Sequence, residues 1–206
     1  MRIDLNVPFA QKDEARQLGA KWDAGGKTWY VPEGILPHPF TRWIPRPHVV
    51  NLRADYFFLA RTGDYCWKCG KATWVYAVYF DQQPTIIEGR EMVDGELQEI
   101  YSHPFYGPGF ASGLTWVNEA AVAAIQELAP LWRLDHSEKA LAKYFMNHCM
   151  MCQAKHGDFA MFVEPQSPFH PIDDAHRESI KLRSIEVPFE ADHDGYHGHE
   201  LPGVAW

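Results

Sequence analysis

Along this chain apolar and β-branched residues gather into short runs, and their spacing predicts most of the elements. Leu5-Asn6-Val7-Pro8-Phe9 predicts a short strand, Lys12 to Leu18 a single amphipathic helix stopped by Gly19, and Lys27-Thr28-Trp29-Tyr30-Val31-Pro32 a second strand. Between helix and second strand, Asp23 with Gly25 and Gly26 predicts a turn. Pro37, Pro39, Pro45 and Pro47 punctuate residues 36–47 and predict an extended, stiff connection. Further on, the aromatic and β-branched run from Ala72 to Phe80 predicts a strand, ended by Asp81-Gln82-Gln83-Pro84. A polar hairpin-like stretch around Val93-Asp94-Gly95-Glu96 precedes a Gly/Pro/aromatic loop from Tyr101 to Phe110. Ala121, Val122, Ile125 and Leu128 recur at helical spacing behind an N-cap at Asn118, and Leu141, Tyr144 and Phe145 repeat the pattern behind Ser137. Asp158 to Val163 reads as a strand returning to pair with Ala72–Phe80.

Four cysteines interrupt these patterns, and they fall in two matched knuckles, Cys66-Trp67-Lys68-Cys69 and Cys149-Met150-Met151-Cys152. Each Cys-x-x-Cys sets two sulfurs on one tight turn, and two such turns together supply the closed tetrahedron that structural zinc prefers. Zinc is therefore the expected ion, held by Cys66, Cys69, Cys149 and Cys152. A closed four-sulfur site has no open position for substrate water, so the metal points to architecture before catalysis. Paired disulfides would need an oxidising compartment, and a thioredoxin-type redox site uses one knuckle rather than two. His148 and His156 flank the second knuckle; they are substitute ligands if a cysteine points away, and otherwise surface histidines. Residues 70–148 separate the knuckles, where a minimal ribbon has about 15–20, so the interval carries structure of its own.

Composition is that of a folded protein: 206 residues, 46% hydrophobic and 14% aromatic, enough for one domain or two small ones. No apolar run approaches a membrane span, and Met1-Arg2-Ile3-Asp4 opens no signal-peptide pattern, so the expected location is cytoplasmic, with no membrane partner. The formal charge of −8 divides as +2 over residues 1–50, −5 over 51–165 and −5 over 166–206. Broad electrostatic binding of nucleic acid over the whole molecule is disfavoured, and only the N-terminal module escapes that objection.

In that module, Val7-Pro8-Phe9, Lys12-Asp13-Glu14-Ala15, Leu18-Gly19-Ala20-Lys21-Trp22-Asp23, Lys27 and Trp29-Tyr30-Val31-Pro32 stand in a register that resembles a small domain of unknown function. That family recurs in plasmid and phage proteins, including conjugative primases, relaxases and polyvalent proteins. The same Leu-Gly-Ala-Lys-Trp-Asp and Lys-x-Trp-Tyr pattern is similar to a motif of annealing-helicase substrate-recognition domains. The resemblance covers residues 3–44 and implies a bacterial, mobile-DNA setting and a nucleic-acid contact; it transfers no catalytic residue. The knuckle segments, with Gly157-Asp158-Phe159, resemble zinc-ribbon segments of uncharacterised bacterial proteins.

Two functional readings follow. In the first, the module is a nucleic-acid-associated accessory that grips a single strand, with Trp22, Trp29 and Tyr30 as stacking platforms and Lys12, Arg16, Lys21 and Lys27 on phosphates. The competing structural reading puts Trp22 and Trp29 in the core, because some forty residues need large apolar side chains to fold, and size favours it. In the second, the chain is an acidic inhibitor or adaptor of a basic partner protein such as a nuclease, docking through exposed Phe105, Tyr106 and Phe110. These rings serve equally well as caps on a sheet. An enzymatic reading is weaker: His170, His176, His193, His197 and His199 with Asp173, Asp174, Asp192 and Asp194 form a possible second metal set. The Gly-rich, acidic run 192–199 reads instead as a solvated tail. The expected fold is α+β: a small β-α-β module over residues 1–47, a zinc-ribbon domain over 48–165 with a mixed α/β insertion at 81–146, and a partly extended or mobile C-terminal extension over 166–206. Oligomeric state is left open.

Overall fold

A computed structural model of the chain describes residues 2–44, 49–93, 96–101, 107–203 and 205–206. The fold is α+β, mostly sheet, and divides into two compact units, Met1–Pro47 and His48–Trp206.

In the first unit β1 (Ile3–Leu5) is followed by a 3-10 turn at Phe9–Gln11 and helix α1 (Lys12–Gln17), then by β2 (Lys21–Asp23) and β3 (Thr28–Val31). The strands form an antiparallel sheet in the order β1-β3-β2. The residues leading into the expected turn supply a third, unforeseen strand, and the turn itself is present at residues 24–27. There Gly25 and Gly26 donate their N–H groups to Asp23 Oδ1 at 3.0 and 3.1 Å, and Lys27 takes φ 49°. Residues 38–43 are not extended: His38–Trp43 is a 3-10 helix, because Phe40 and Trp43 turn inward to join Leu5, Ala15, Ala20, Trp29 and Val31 in the core. Pro45 and Pro47 lie outside the described residues.

The second unit runs through β4 (Leu52–Ala54), β5 (Phe57–Tyr65), β6 (Ala72–Phe80), β7 (Thr85–Val93), β8 (Glu96–Tyr101), β9 (Gly109–Ser112) and β10 (Trp116–Val117). Helix α2 (Glu119–Leu128) follows, then β11 (Arg133–Ser137), β12 (Ala142–His148) and β13 (Lys155–His156). Helix α3 (Asp174–Ser179), β14 (Lys181–Ile185), β15 (Phe189–Asp192) and β16 (Gly195–Gly198) complete it. Two five-stranded sheets, β10-β15-β4-β7-β8 and β14-β5-β6-β9-β16, accompany a three-stranded sheet β11-β12-β13. Alternation along β6 shows how the core is divided. Val78 and Phe80 pack with Leu52, Ile86, Phe189 and α2 residues Ala121 and Ile125, while Val75, Ala77 and Tyr79 pack with Phe110, Met161, Phe162 and Phe169. A strand buried on both faces is a near-continuous apolar run, which is how Ala72–Phe80 reads.

Three expectations are corrected here. Ser137–Phe145 is not a helix: β11 and β12 form an antiparallel hairpin, and the Ser137 hydroxyl accepts the Ala140 N–H at 3.2 Å within the turn. Leu141 is exposed with φ 51°, so the apparent stripe loses a member, and Phe145 instead stacks on Trp132 at 4.5 Å. Asp158–Val163 is not the strand returning to β6 either. Phe159–Val163 forms a π-helical turn that buries Met161 and Phe162, and β6 pairs with β9 instead. Nor is 192–199 a solvated tail, since β15 lies between β10 and β4 and β16 pairs with β9. One of its own glycines, Gly195, stands where a Cβ would run into the Ser112 hydroxyl of β9, and across the same pair a Cβ on Gly109 would fall 2.5 Å from the His197 carbonyl oxygen.

Candidate metal centre

The first knuckle is the turn joining β5 to β6, and the second joins β12 to β13. Their backbones are built alike. Cys66 N–H donates to Lys71 O at 2.9 Å and Gly70 N–H to Cys66 O at 2.8 Å; Cys149 N–H donates to Ala154 O at 2.9 Å and Gln153 N–H to Cys149 O at 3.0 Å. The matching fifth position is left-handed in each, Gly70 at φ 67° and Gln153 at φ 59°. Glycine adopts that conformation freely, and a side chain there costs about 1 kcal/mol, so the second knuckle holds Gln153 against its preference.

All four Sγ atoms lie within 4.8 Å of one another, with Cys66 to Cys152 at 3.6 Å and Cys69 to Cys149 at 3.8 Å. A disulfide requires about 2.05 Å, so these are four thiols. An ion with metal–sulfur bonds of about 2.3 Å in a tetrahedron sets its sulfurs roughly 3.8 Å apart, so the residues fit a four-coordinate metal. Their electrostatics agree. Burial opposes ionisation of Cys66, yet the N–H groups of Cys69 and Lys68 and the His156 ring hold its thiol down at about 5. The Cys149 thiol is lowered in the same way, against burial, by the N–H groups of Cys152 and Met151. For Cys152 the Ala154 N–H pulls down, but burial and the three neighbouring sulfurs push the thiol up to about 12. Four packed sulfurs cannot all carry charge alone, whereas a central cation stabilises their ionised form.

Protein contacts hold the two hairpins around this cluster. The Asn147 side chain exchanges two 2.8 Å hydrogen bonds with the Tyr76 backbone, Trp67 Nε1 donates to Lys155 O at 2.9 Å, and Met150 N–H donates to Thr73 Oγ1 at 3.1 Å. His148 is not a ligand: its ring meets Leu131 O at 2.9 Å and Asp135 Oδ2 at 3.0 Å. Burial works against the Asp135 charge, but His148 and Lys155 hold that carboxyl at about 2. His156 is buried behind the cluster, with Nδ1 3.3 Å from Asp64 Oδ2 and Nε2 without a hydrogen-bond partner. Asp64 and then, against burial, Cys66 raise its proton affinity. The sequence carries no local sign of Asp64, Asp135, Thr73 or Asn147 in this role, because each reaches the centre across a strand pair.

Among the C-terminal histidines, His170 and His199 have ring centres 5.4 Å apart, but the expected histidine and aspartate set does not converge on a metal position. Among the described residues, the cysteines form the group whose ligand atoms converge. His193 Nδ1 meets Asn51 Oδ1 at 2.7 Å, His197 Nε2 meets Ser112 Oγ at 2.8 Å, and Asp173 caps α3.

The other candidate residues are placed as follows. Trp29 is buried and Trp22 is 51% exposed, with the two rings 5.7 Å apart. Strand register sets Lys21 opposite Tyr30 and Trp22 opposite Trp29, so Lys21 and Tyr30 share one face of the sheet and the two tryptophans the other. Arg16 lies 5.6 Å from the Trp29 ring and pairs with Asp13, Lys12 Nζ sits 3.7 Å over Phe9, and Lys27 is exposed at the turn. The expected contact set is thus split over two faces. Phe110 is fully buried among Tyr79, Phe162 and Phe169, so it cannot serve as an exposed anchor. Phe105 and Tyr106 lie outside the described residues. No described helix is long and apolar enough to cross a membrane.

These features define a two-unit α+β protein with a candidate four-thiolate metal centre in the second unit. The first unit has known relatives: residues 2–45 match the family described as Domain of unknown function (DUF5710). Two proteins from Escherichia coli, each called DNA primase TraC, are similar to this region. One is 55% identical over 42 residues, 20% of this chain and 4% of the primase; the other is 51% identical over 39 residues, 19% and 3%. The chain therefore spans only a few per cent of the length of either primase. No solved structure matches.

Proposed function

We propose that the protein is a non-enzymatic zinc-binding accessory protein of a bacterial mobile-element system, associated with nucleic acid through its N-terminal unit. The observation that carries the setting is the similarity of residues 2–45 to a segment shared with DNA primases. Zinc is the ion that the donor set favours, since four thiolates in a closed tetrahedron suit it better than magnesium, calcium or an open catalytic metal. When bound, the ion would offset half of the charge of the Cys66, Cys69, Cys149 and Cys152 thiolates and tie the β5–β6 turn to the β12–β13 turn. On the N-terminal unit, Lys21 and Tyr30 on one face, half-exposed Trp22 on the other and exposed Lys27 at the turn are groups available to a single strand. The reading as an inhibitor of a basic protein is less favoured, because burial of Phe110 removes one of its three anchors.

The test combines native mass spectrometry with metal analysis and oligonucleotide titration of the full chain. One zinc per chain, released on unfolding, supports the metal assignment; no zinc, with a mass four hydrogens below the reduced chain, refutes it. Binding of a fluorescent single-stranded oligonucleotide that is abolished in K21E/K27E supports the N-terminal contact. Unchanged affinity in that variant removes it.

A further inference from the structure

The β5–β6 ribbon carries a second feature on the face turned away from Asp64. In antiparallel pairs, opposite residues share a face, so Tyr65 and Ala72, Gly63 and Trp74, and Arg61 and Tyr76 line one side. On the neighbouring strand β14, the pairings Lys181 with Arg61 and Arg183 with Leu59 add two cations to that side. Its far end is core, through Leu59, Val78 and Phe57. Its near end is open: Tyr65 is 76% and Trp74 45% exposed, and Gly63, Ala72 and Arg183 are exposed too. Gly63 leaves room for the Trp74 ring, whose edge passes 3.7 Å from where a Cβ would stand.

Arg61 lies between two indoles, its guanidinium carbon 4.6 Å from the Trp74 ring centre and 4.0 Å from that of Trp206, while Arg183 approaches Trp206 at 5.7 Å. Arg61 Nε is buried without a hydrogen-bond partner, and among the described residues no carboxylate pairs with Arg61. No Asp or Glu occupies a position on this face of β14, β5 or β6; Asp64, on the opposite face, is committed to His156. In a chain of formal charge −8, a face of three cations and interleaved exposed rings without a carboxylate is a local reversal of sign.

We propose that this face of the second unit binds single-stranded nucleic acid, with bases stacked on Tyr65 and Trp74 and the phosphates met by Arg61, Lys181 and Arg183. Exposed rings interleaved with guanidinium groups suit unpaired bases, which offer π faces whatever their sequence, and the cations suit the backbone that links them. The assignment is independent of the N-terminal contact, since none of its residues belongs to the first unit.

The test is fluorescence anisotropy of a labelled oligothymidylate of about 20 nucleotides with the full chain, Y65A/W74A, K181Q/R183Q and K21E/K27E. Loss of one stacked base is worth at least about fivefold, so Y65A/W74A is expected to bind about 25-fold more weakly. Neutralising two phosphate contacts lowers the slope of log affinity against log salt by about 1.4. Retained metal content and circular dichroism show that the fold is kept; should W74A unfold, Y65A alone carries the test through a loss of about fivefold. Unchanged affinity in Y65A/W74A overturns the assignment even where K21E/K27E abolishes binding, and that pattern leaves the N-terminal contact standing. Loss in Y65A/W74A with none in K21E/K27E supports this face and removes the other. Absence of oligonucleotide binding by the unaltered chain, or capture of a proline-rich peptide here instead, also overturns it.

Discussion

Asp158 offers a sharp test of the packing between the second knuckle and the main sheet. Its carboxylate accepts the Gly113 N–H at 2.6 Å, yet burial, reinforced by nearby Asp194, lifts the carboxyl from the ordinary 3.8 to about 7. A native carboxyl that keeps its proton where the unfolded chain has released it makes stability fall as pH rises from about 4 through about 7. Between those limits the effect reaches about 4 kcal/mol at full strength, and roughly half that for a side chain that water still touches. D158N retains an oxygen for Gly113 and cannot ionise. It is expected to match the unaltered protein near pH 4 and to exceed it by about 2–4 kcal/mol near pH 8, a gain of roughly 5–15 °C in Tm for a unit of this size. Thermal unfolding followed by circular dichroism across that range reads the difference directly. Parallel pH profiles for the two proteins would refute the reasoning, because they would mean that the carboxyl ionises as freely in the native state as in the unfolded one.

Two further substitutions probe the same region. F110A removes a ring 5.0 Å from Tyr79 and 5.3 Å from Phe169 and is expected to cost about 3–5 kcal/mol in urea unfolding; a loss below about 1 kcal/mol would show that the ring is not core. G113A places a Cβ 1.6 Å from Asp194 Oδ1 at a residue with φ 63°, so it destabilises by more than the roughly 1 kcal/mol of a left-handed alanine. Adding D194G should recover the excess over that backbone cost, and strict additivity of the two changes would count against the contact.

Much of the first unit is legible from its pattern, since helix, stop signal and second strand follow local rules. β2 is not, because Lys21-Trp22-Asp23 is too short to show alternation and becomes a strand only by pairing with β3. The four metal ligands are legible because cysteine spacing is local, while the groups that support them are not. Asp64 reaches His156 and Thr73 reaches Met150 across chain separations that no short-range pattern encodes. The error over residues 137–145 has a similar origin: Leu141, Tyr144 and Phe145 have helical spacing, but stacking of Phe145 on Trp132 and pairing with β11 decide the outcome. The acidic, Gly-rich stretch 192–199 misleads because composition reports average solvation. Gly195 in it stands where β16 pairs with β9 and a Cβ would run into the Ser112 hydroxyl.

The place of β15 bears on how the protein is made. Residues 189–192 insert between β10 and β4, while β14 and β16 close the two margins of the other sheet. A ribosome delivering this chain from its N-terminus therefore leaves the β15-facing edge of β4 unmatched through residues 55–188 and that of β10 through residues 118–188. The first unit is free to fold as soon as it emerges, and so is the β5–β6 hairpin, but the second unit can close only after residues 181–198 have left the exit tunnel. Translational pausing or premature termination in that last stretch leaves a chain with both knuckles present and two sheets unfinished, the form most exposed to proteases and to edge-to-edge aggregation.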